Sequence, residues 1–310
     1  MSLIKMRKLT LIKSVFIVVL SLLVFSFSGG TGYAASKLGI VTLRDKTKIH
    51  FETRGDPTSP HILFIHGWSC SSAYWQKQLG LLSSRYYTVA IDLRGHGRSD
   101  KPAFGYTLEC LAQDVHEVME KLELKDVTLV GWSMGGSIVF EYYRQFADEY
   151  LNRICIVDIG PYSWKNGDYP SGMDWEKRLE LTRNQTMVYQ DPATQENDFV
   201  EKMFVLKPGS LLLNQLQAES GKAPAYVRSL LILELFSCDY RELLTKIDVP
   251  TLILLGSWFK QEKYSPLGEY MQKKIKSSQL FAFAKSGHCP FLEETDTFNQ
   301  KLIEFIEDNR

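Results

Sequence analysis

The chain has 310 residues, with 36 basic and 36 acidic side chains, and its hydrophobic content of 45% is ordinary for a globular protein. The zero net charge argues against a nucleic-acid-binding surface and against long-range steering of charged substrates. The length suits one large α/β domain with an insertion better than two independent domains.

The N-terminal 34 residues differ in character from the rest of the chain. Basic residues such as Lys5 and Lys13 precede an apolar run over 15–27, and small residues follow up to Ala34. This order is typical of a secretory signal peptide, so we expect a signal over 1–34 and a mature, extracytoplasmic chain over 35–310. The alternative is an uncleaved membrane anchor, although the run is short of the about 20 residues that span a bilayer.

Alternating strands and helices follow the signal segment. Short apolar runs without polar alternation predict buried strands of a parallel sheet, and apolar residues at helical spacing predict the helices between them. Strands are predicted at 38–43, 47–53, 62–65, 86–91, 127–130, 154–157, 250–255 and 279–284, and helices at 72–84, 107–122, 137–143, 267–275 and 298–306.

The alternation stops between about residues 162 and 245. This region holds aromatic and polar helical stretches but no buried strand. The sequence therefore predicts an α/β fold, with a mostly parallel central sheet, helices on both faces, and an inserted helical cap over about 162–245. Aromatic side chains of the cap, such as Trp164 and Phe204, either line an apolar pocket or form the cap's own core.

The stretch Gly131-Trp132-Ser133-Met134-Gly135 matches G-x-S-x-G in a fitting context. An apolar strand precedes it and a helix with small residues at its start follows, which is the arrangement of a nucleophile elbow. The alternative is a small-residue turn with an idle serine.

Five cysteines are scattered without metal-like spacing, and we expect them to be mostly buried small apolar residues.

Three further stretches line up with the elbow: His66-Gly67-Trp68, the glycine-rich turn over 92–100, and Ser286-Gly287-His288-Cys289-Pro290. Together the four stretches resemble the α/β-hydrolase superfamily over essentially all of the mature chain. The His66-Gly67-Trp68 stretch and the turn over 92–100 look most like its esterase, perhydrolase and cofactor-free haloperoxidase branch.

The resemblance implies a role for each matching residue. Ser133 would be the nucleophile and His288 the base that removes its proton. The backbone N–H groups of Trp68 and Met134 would form the oxyanion hole.

The acid of the triad departs from the usual pattern of the superfamily. Most relatives carry it in a Gly-x-x-Asp turn after the strand that follows the cap, but no aspartate lies between Asp248 and Asp296. Some relatives, including haloalkane dehalogenases, place it after the strand that follows the elbow helix, which here is Asp158. The order Ser133, Asp158, His288 fits the rule for this fold. Glu262 is the alternative acid, and Asp158 would then only cap its strand.

These observations predict a secreted serine hydrolase, most simply a carboxylesterase that forms an acyl-enzyme on Ser133 with small to medium esters. A serine at the elbow argues against epoxide hydrolase or dehalogenase chemistry. Perhydrolysis, C–C bond hydrolysis and acyl transfer would use the same triad, and a vestigial binding protein on this fold is a further alternative. We expect no cofactor, metal or nucleic-acid partner, and a membrane contact only if the N-terminal segment stays attached.

Overall fold

The computed structural model describes residues 36–167, 169, 172–174, 176, 180, 199–256 and 266–308. An eight-stranded sheet runs through them in the order β1-β2-β4-β3-β5-β6-β7-β8. Strand β1 pairs antiparallel with β2, and β2 pairs antiparallel with β4, whereas every later pairing is parallel. The strands are β1 Lys37–Thr42, β2 Lys48–Arg54, β3 His61–Ile65, β4 Tyr87–Ile91, β5 Val127–Trp132, β6 Leu151–Val157, β7 Thr251–Leu255 and β8 Ser278–Ala282.

Helices connect the parallel strands, as parallel pairing requires a crossover. The α-helices are α1 Gln76–Leu82, α2 Leu108–Lys121, α3 Met134–Phe146, α4 Ser210–Ser220, α5 Ala225–Ser237, α6 Pro266–Lys274, α7 Pro290–Glu293 and α8 Thr295–Glu307, with short 3-10 helices at Ser72–Trp75 and Leu243–Lys246. Within the described residues, no helix combines the length and the apolar character that crossing a membrane requires.

Two hydrophobic cores lie on opposite faces of the sheet. In β3, Leu63 and Ile65 belong to one core, and Ile62 and Phe64 to the other, because successive side chains of a strand point to opposite faces. Helices α2, α3 and α6 contribute to the first core, and α1 and α8 to the second. The four side chains of residues 62–65 in β3 are fully buried, which explains why this strand is apolar at every one of these positions.

The predicted fold class is confirmed: a mostly parallel sheet with helices on both faces. Helices α4 and α5 lie between β6 and β7 in the chain, within the segment predicted as a cap. Helix α3 begins at Met134, three residues earlier than predicted, and the predicted helix over 72–84 divides into a 3-10 turn and α1.

The sheet brings distant parts of the chain to one edge. The carboxyl ends of parallel strands lie at the same side of the sheet, so residues that follow β3, β5, β6, β7 and β8 meet there. The strand order reverses beside β3, and a crevice at such a switch point is where open α/β sheets bind ligands. The predicted site residues all follow these strands.

Candidate active site

Ser133 occupies a strained turn between β5 and α3. Its backbone angles are φ 54° and ψ −123°, a region that residues with side chains rarely adopt. The two neighbouring glycines have no room for a side chain. A Cβ added to Gly131 would lie 2.3 Å from Gly135 O, and a Cβ added to Gly135 would lie 2.4 Å from Ile65 O. The tight contacts with β3 and α3 therefore require G-x-S-x-G, and they hold a half-buried serine at the strand end.

His288 and Asp158 form a buried hydrogen-bonded pair. His288 Nδ1 lies 2.6 Å from Asp158 Oδ2, and both side chains are 2% exposed. The second carboxylate oxygen, Oδ1, accepts a 2.8 Å hydrogen bond from the backbone N–H of Gly256. Since the carboxylate accepts at Nδ1, the ring donates there, and Nε2 remains as the nitrogen that can take a proton.

Gly256 gives this pair an unexpected link to the usual position of the acid. It directly follows β7, at the position where the family pattern begins its Gly-x-x-Asp sequence, but here its N–H donates to Asp158 Oδ1. Glu262, the alternative acid, lies outside the described residues.

The loop that carries His288 packs beside the elbow. The indole Nε1 of Trp132, the residue before the nucleophile, donates to His288 O at 2.7 Å, and the two rings lie 5.3 Å apart. On the other side of the nucleophile, an added Cβ on Gly67 would lie 3.1 Å from Ser133 Cβ. The structure therefore brings together the HGW stretch, the elbow and the histidine loop.

The two predicted oxyanion donors lie at the ends of neighbouring strands. Met134 is the first residue of α3, and the first N–H groups of a helix have no acceptor within it. Trp68 follows β3, and its side chain is fixed by a 2.8 Å hydrogen bond from Nε1 to Arg228 O on α5 and by an edge contact with Phe199. Both backbone N–H groups are thus carried on well-anchored segments.

The remaining chemistry-bearing residues near the site are structural. His66 Nε2 accepts from the N–H of Leu93, so Nδ1 donates to Gly67 O, and burial lowers the pKa of the ring. A neutral His66 therefore ties the HGW stretch to Leu93. Burial also raises the pKa of the Cys289 thiol well above its usual value, which keeps it protonated and unreactive.

The cysteines and two aromatic side chains of the segment between β6 and β7 are mostly buried. All five cysteines are free thiols, of which Cys70, Cys155 and Cys289 are buried. Among the described residues, no three His, Cys, Asp or Glu side chains are grouped as metal ligands. Trp164 and Phe204 are buried, at 7% and 9% exposed. Trp164 Nε1 donates to the backbone of α5, and Phe204 belongs to the second hydrophobic core of the sheet.

Sequence reasoning missed the contacts that hold the histidine loop against the segment between β6 and β7. The N–H of His288 donates to Met203 O at 2.7 Å, and the carboxylate of Glu293 accepts from the N–H groups of Gly287 and Val205. No motif marks such contacts, because they join two segments about 85 residues apart in the chain. The one available signal was an acidic residue five positions after the histidine.

The comparisons with known proteins agree with the fold described above. Residues 60–295 match the family model described as the alpha/beta hydrolase fold. A member of the AB hydrolase superfamily from Bacillus subtilis is 31% identical over 79% of this chain and 90% of its own length. A bifunctional esterase/perhydrolase from Acinetobacter calcoaceticus is 29% identical over 87% of this chain and 99% of its own. The structure of an esterase from Exiguobacterium antarcticum superposes with a TM-score of 0.78 at 28% identity, covering 87% of this chain and 99% of the other.

Proposed function

The chain belongs to the α/β-hydrolase family, and we propose from this premise that it cleaves small to medium carboxylic esters through an acyl-enzyme on Ser133. The observation that carries the proposal is the buried pair of His288 and Asp158 beside the elbow, with Nδ1 and Oδ2 at 2.6 Å. Relatives whose names describe them as esterases support a hydrolase of this kind.

The proposed reaction divides into two half-reactions. His288 Nε2 takes the Ser133 hydroxyl proton while Oγ attacks the ester carbonyl, and the N–H groups of Trp68 and Met134 stabilise the oxyanion. The imidazolium then gives the proton to the leaving alcohol. Water attacks the acyl-enzyme in the second half, with His288 again as base. Asp158 keeps the ring in the productive tautomer and stabilises its charged form.

Perhydrolysis is the second candidate, because one relative is named as a bifunctional esterase/perhydrolase. Hydrogen peroxide would replace water as the attacking group on the same acyl-enzyme, so the triad is unchanged. Adding peroxide during ester turnover and measuring peracid separates this activity from simple hydrolysis. C–C bond hydrolysis and acyl transfer would likewise need a different substrate or acceptor rather than different residues.

Replacing the nucleophile tests the proposal. We expect residues 35–310 to hydrolyse p-nitrophenyl butyrate, and Ser133→Ala to lower kcat by at least ~10³-fold, since removal of the attacking oxygen leaves only binding and oxyanion stabilisation. A fluorophosphonate probe should label the parent at Ser133 and leave the variant unlabelled. An unreactive, unlabelled parent would favour the vestigial binding protein, and a fully active variant would reject Ser133.

We also propose that residues 1–34 direct export, on the order of basic, apolar and small residues in the segment. N-terminal sequencing of the protein recovered outside the cytoplasm of a bacterial host should begin at Ala35. A membrane-bound product that keeps Met1 would show an uncleaved anchor instead.

A further inference from the structure

Two segments on either side of the Glu293 side chain are held by its carboxylate. Oε1 accepts from the N–H of Val205 at 2.8 Å, and Oε2 accepts from the N–H of Gly287 at 2.6 Å. The N–H of Leu206 also donates to this carboxylate. We define the cap segment as residues 203–206 and the histidine loop as residues 285–289. Glu293 thus joins the cap segment to the residue just before His288.

A second contact ties the same two segments together directly. The N–H of His288 donates to Met203 O at 2.7 Å, and Cys289 Sγ lies 3.8 Å from Met203 Sδ. Met203 is 1% exposed and thus anchored, whereas Val205 and Leu206 are 53% and 78% exposed. The Glu293 carboxylate therefore fixes the part of the cap segment that burial does not fix.

The histidine loop is held on its other sides by the sheet. Trp132 Nε1 donates to His288 O, and Asp158 binds both the imidazole and Gly256 at the end of β7. The position of the imidazole therefore depends on β5, β6, β7, Glu294 and the cap segment. The cap segment acts directly through Met203 O and indirectly through the carboxylate of Glu293 in α7.

We propose that Glu293 is a positioning residue that couples the cap segment to the histidine loop, so that the placement of the cap sets the placement of the catalytic imidazole. This inference rests on the proposed role of His288 as the base. Glu293 touches neither the imidazole nor the nucleophile in this arrangement, and it acts through the backbone of Gly287.

The chain offers an isosteric test with a matched control. Glu293 uses both carboxylate oxygens, so Glu293→Gln keeps one acceptor and turns an NH₂ group toward a backbone N–H, which breaks the link on one side. Glu294 also binds the histidine loop, but Lys285 N and Ser286 Oγ both donate to its single oxygen Oε2. Glu294→Gln can keep both hydrogen bonds through its one amide oxygen.

We expect Glu293→Gln to lower kcat for p-nitrophenyl acetate about tenfold, with KM within twofold of the parent. A misplaced base stabilises the transition state less, while the binding of a small ester stays unchanged. Glu294→Gln should keep kcat within twofold. Equal losses in the two variants, or a Glu293→Gln kcat within twofold of the parent, would overturn the proposal.

Hydrogen exchange on the mature chain provides a readout that does not depend on ester hydrolysis. In Glu293→Gln, the peptide that faces the new NH₂ group, either 203–206 or 285–289, should exchange at least tenfold faster, whereas both peptides should exchange at the parent rate in Glu294→Gln. Unchanged exchange over both peptides in Glu293→Gln would overturn the link even if the parent cleaves no ester, whereas failure of the proposed function appears only in the activity assay.

Val205→Pro approaches the link from the cap side, because proline lacks the N–H that Glu293 accepts. It serves if Glu293→Gln does not fold, and the same tenfold loss of kcat is expected. Parent activity in Val205→Pro would count against the proposal.

Discussion

At the scale of single residues, the assignment of the acid is the sharpest prediction. Asp158 accepts hydrogen bonds from His288 at one oxygen and from Gly256 at the other. In Asp158→Asn an NH₂ group replaces one of the two carboxylate oxygens. When this NH₂ faces His288 it donates to Nδ1, and the proton of the ring then lies on Nε2, which can no longer act as the base. We expect kcat to fall by ~10³- to 10⁴-fold with little change in KM.

Glu262→Gln is the control for this prediction, since Glu262 is the alternative acid. Its kcat for p-nitrophenyl butyrate should stay within twofold of the parent. The opposite ranking of the two variants would transfer the role to Glu262.

The sequence places Ser133, Asp158 and His288 correctly at strand ends because a parallel sheet gathers its carboxyl ends at one edge. That argument needs only the order of the strands and the residues that follow them. Glu293 escapes it, because its partners Val205 and Leu206 belong to a segment without strands. Their contact depends on how the segment packs, which no short-range pattern specifies.

At the scale of elements, the close approach of β7 to the histidine loop gives a second prediction. An added Cβ on Gly256 would lie 1.7 Å from Gly287 O, whereas an added Cβ on Gly209 meets nothing within 4 Å. Gly256→Ala must therefore push the histidine loop away or displace the N–H that Asp158 accepts. We expect kcat to drop at least tenfold and unfolding to become easier by about 1–3 kcal/mol, as for an overpacked core.

Gly209→Ala is the matched control, because Gly209 precedes α4 with an ordinary φ of −55°. Its kcat and urea midpoint should equal those of the parent within error. A Gly256→Ala variant that behaves like this control would show that Gly256 and the histidine loop can move apart without cost.

The boundaries of elements were predicted less well than their existence. Helix α3 begins at Met134 although Gly135 and Gly136 are poor helix formers, because close packing against β3 decides the start. Helix α7 has only four residues, too few to show a helical period. Helix α5 is apolar on several sides, with Leu230 and Leu233 exposed, so its sequence gave no clear face.

At the scale of the whole molecule, we expect stability to fall as the solution becomes acidic. His96 is fully buried, and burial lowers its pKa from the usual 6.5 to about 3. Its Nδ1 donates to Arg94 O, and Nε2 has no hydrogen-bond partner among the described residues. Below pH 6.5 the unfolded chain therefore binds a proton that the folded chain refuses until about pH 3. The free energy of unfolding should decline through this window by up to ~1.4 kcal/mol per pH unit.

Asp92 extends the decline to stronger acid. Burial alone would raise the pKa of its carboxyl, but the His50 ring, whose Nδ1 lies 3.2 Å from Oδ2, and hydrogen bonds from the N–H groups of Arg98 and Ser72 hold it well below the usual range. A depressed carboxyl pKa contributes stability that is lost only as the pH falls below about 4.

Urea titrations at pH 7.0, 6.0 and 5.0 separate the two groups. His96→Gln should reduce the slope of unfolding free energy against pH between 6.5 and 5, whatever its effect at pH 7. An unchanged slope in this variant would assign the acid sensitivity to other residues.

The site is assembled at one edge of the sheet from residues that are distant in the chain, and this has a consequence for biosynthesis. The HGW stretch, Ser133 and Asp158 leave the ribosome by about the middle of the chain, but the imidazole of His288 arrives only within the last 25 residues. A nascent or C-terminally truncated polypeptide therefore carries a serine with no proton acceptor. In the proposed mechanism, the chain therefore cannot form an acyl-enzyme until translation has passed residue 288.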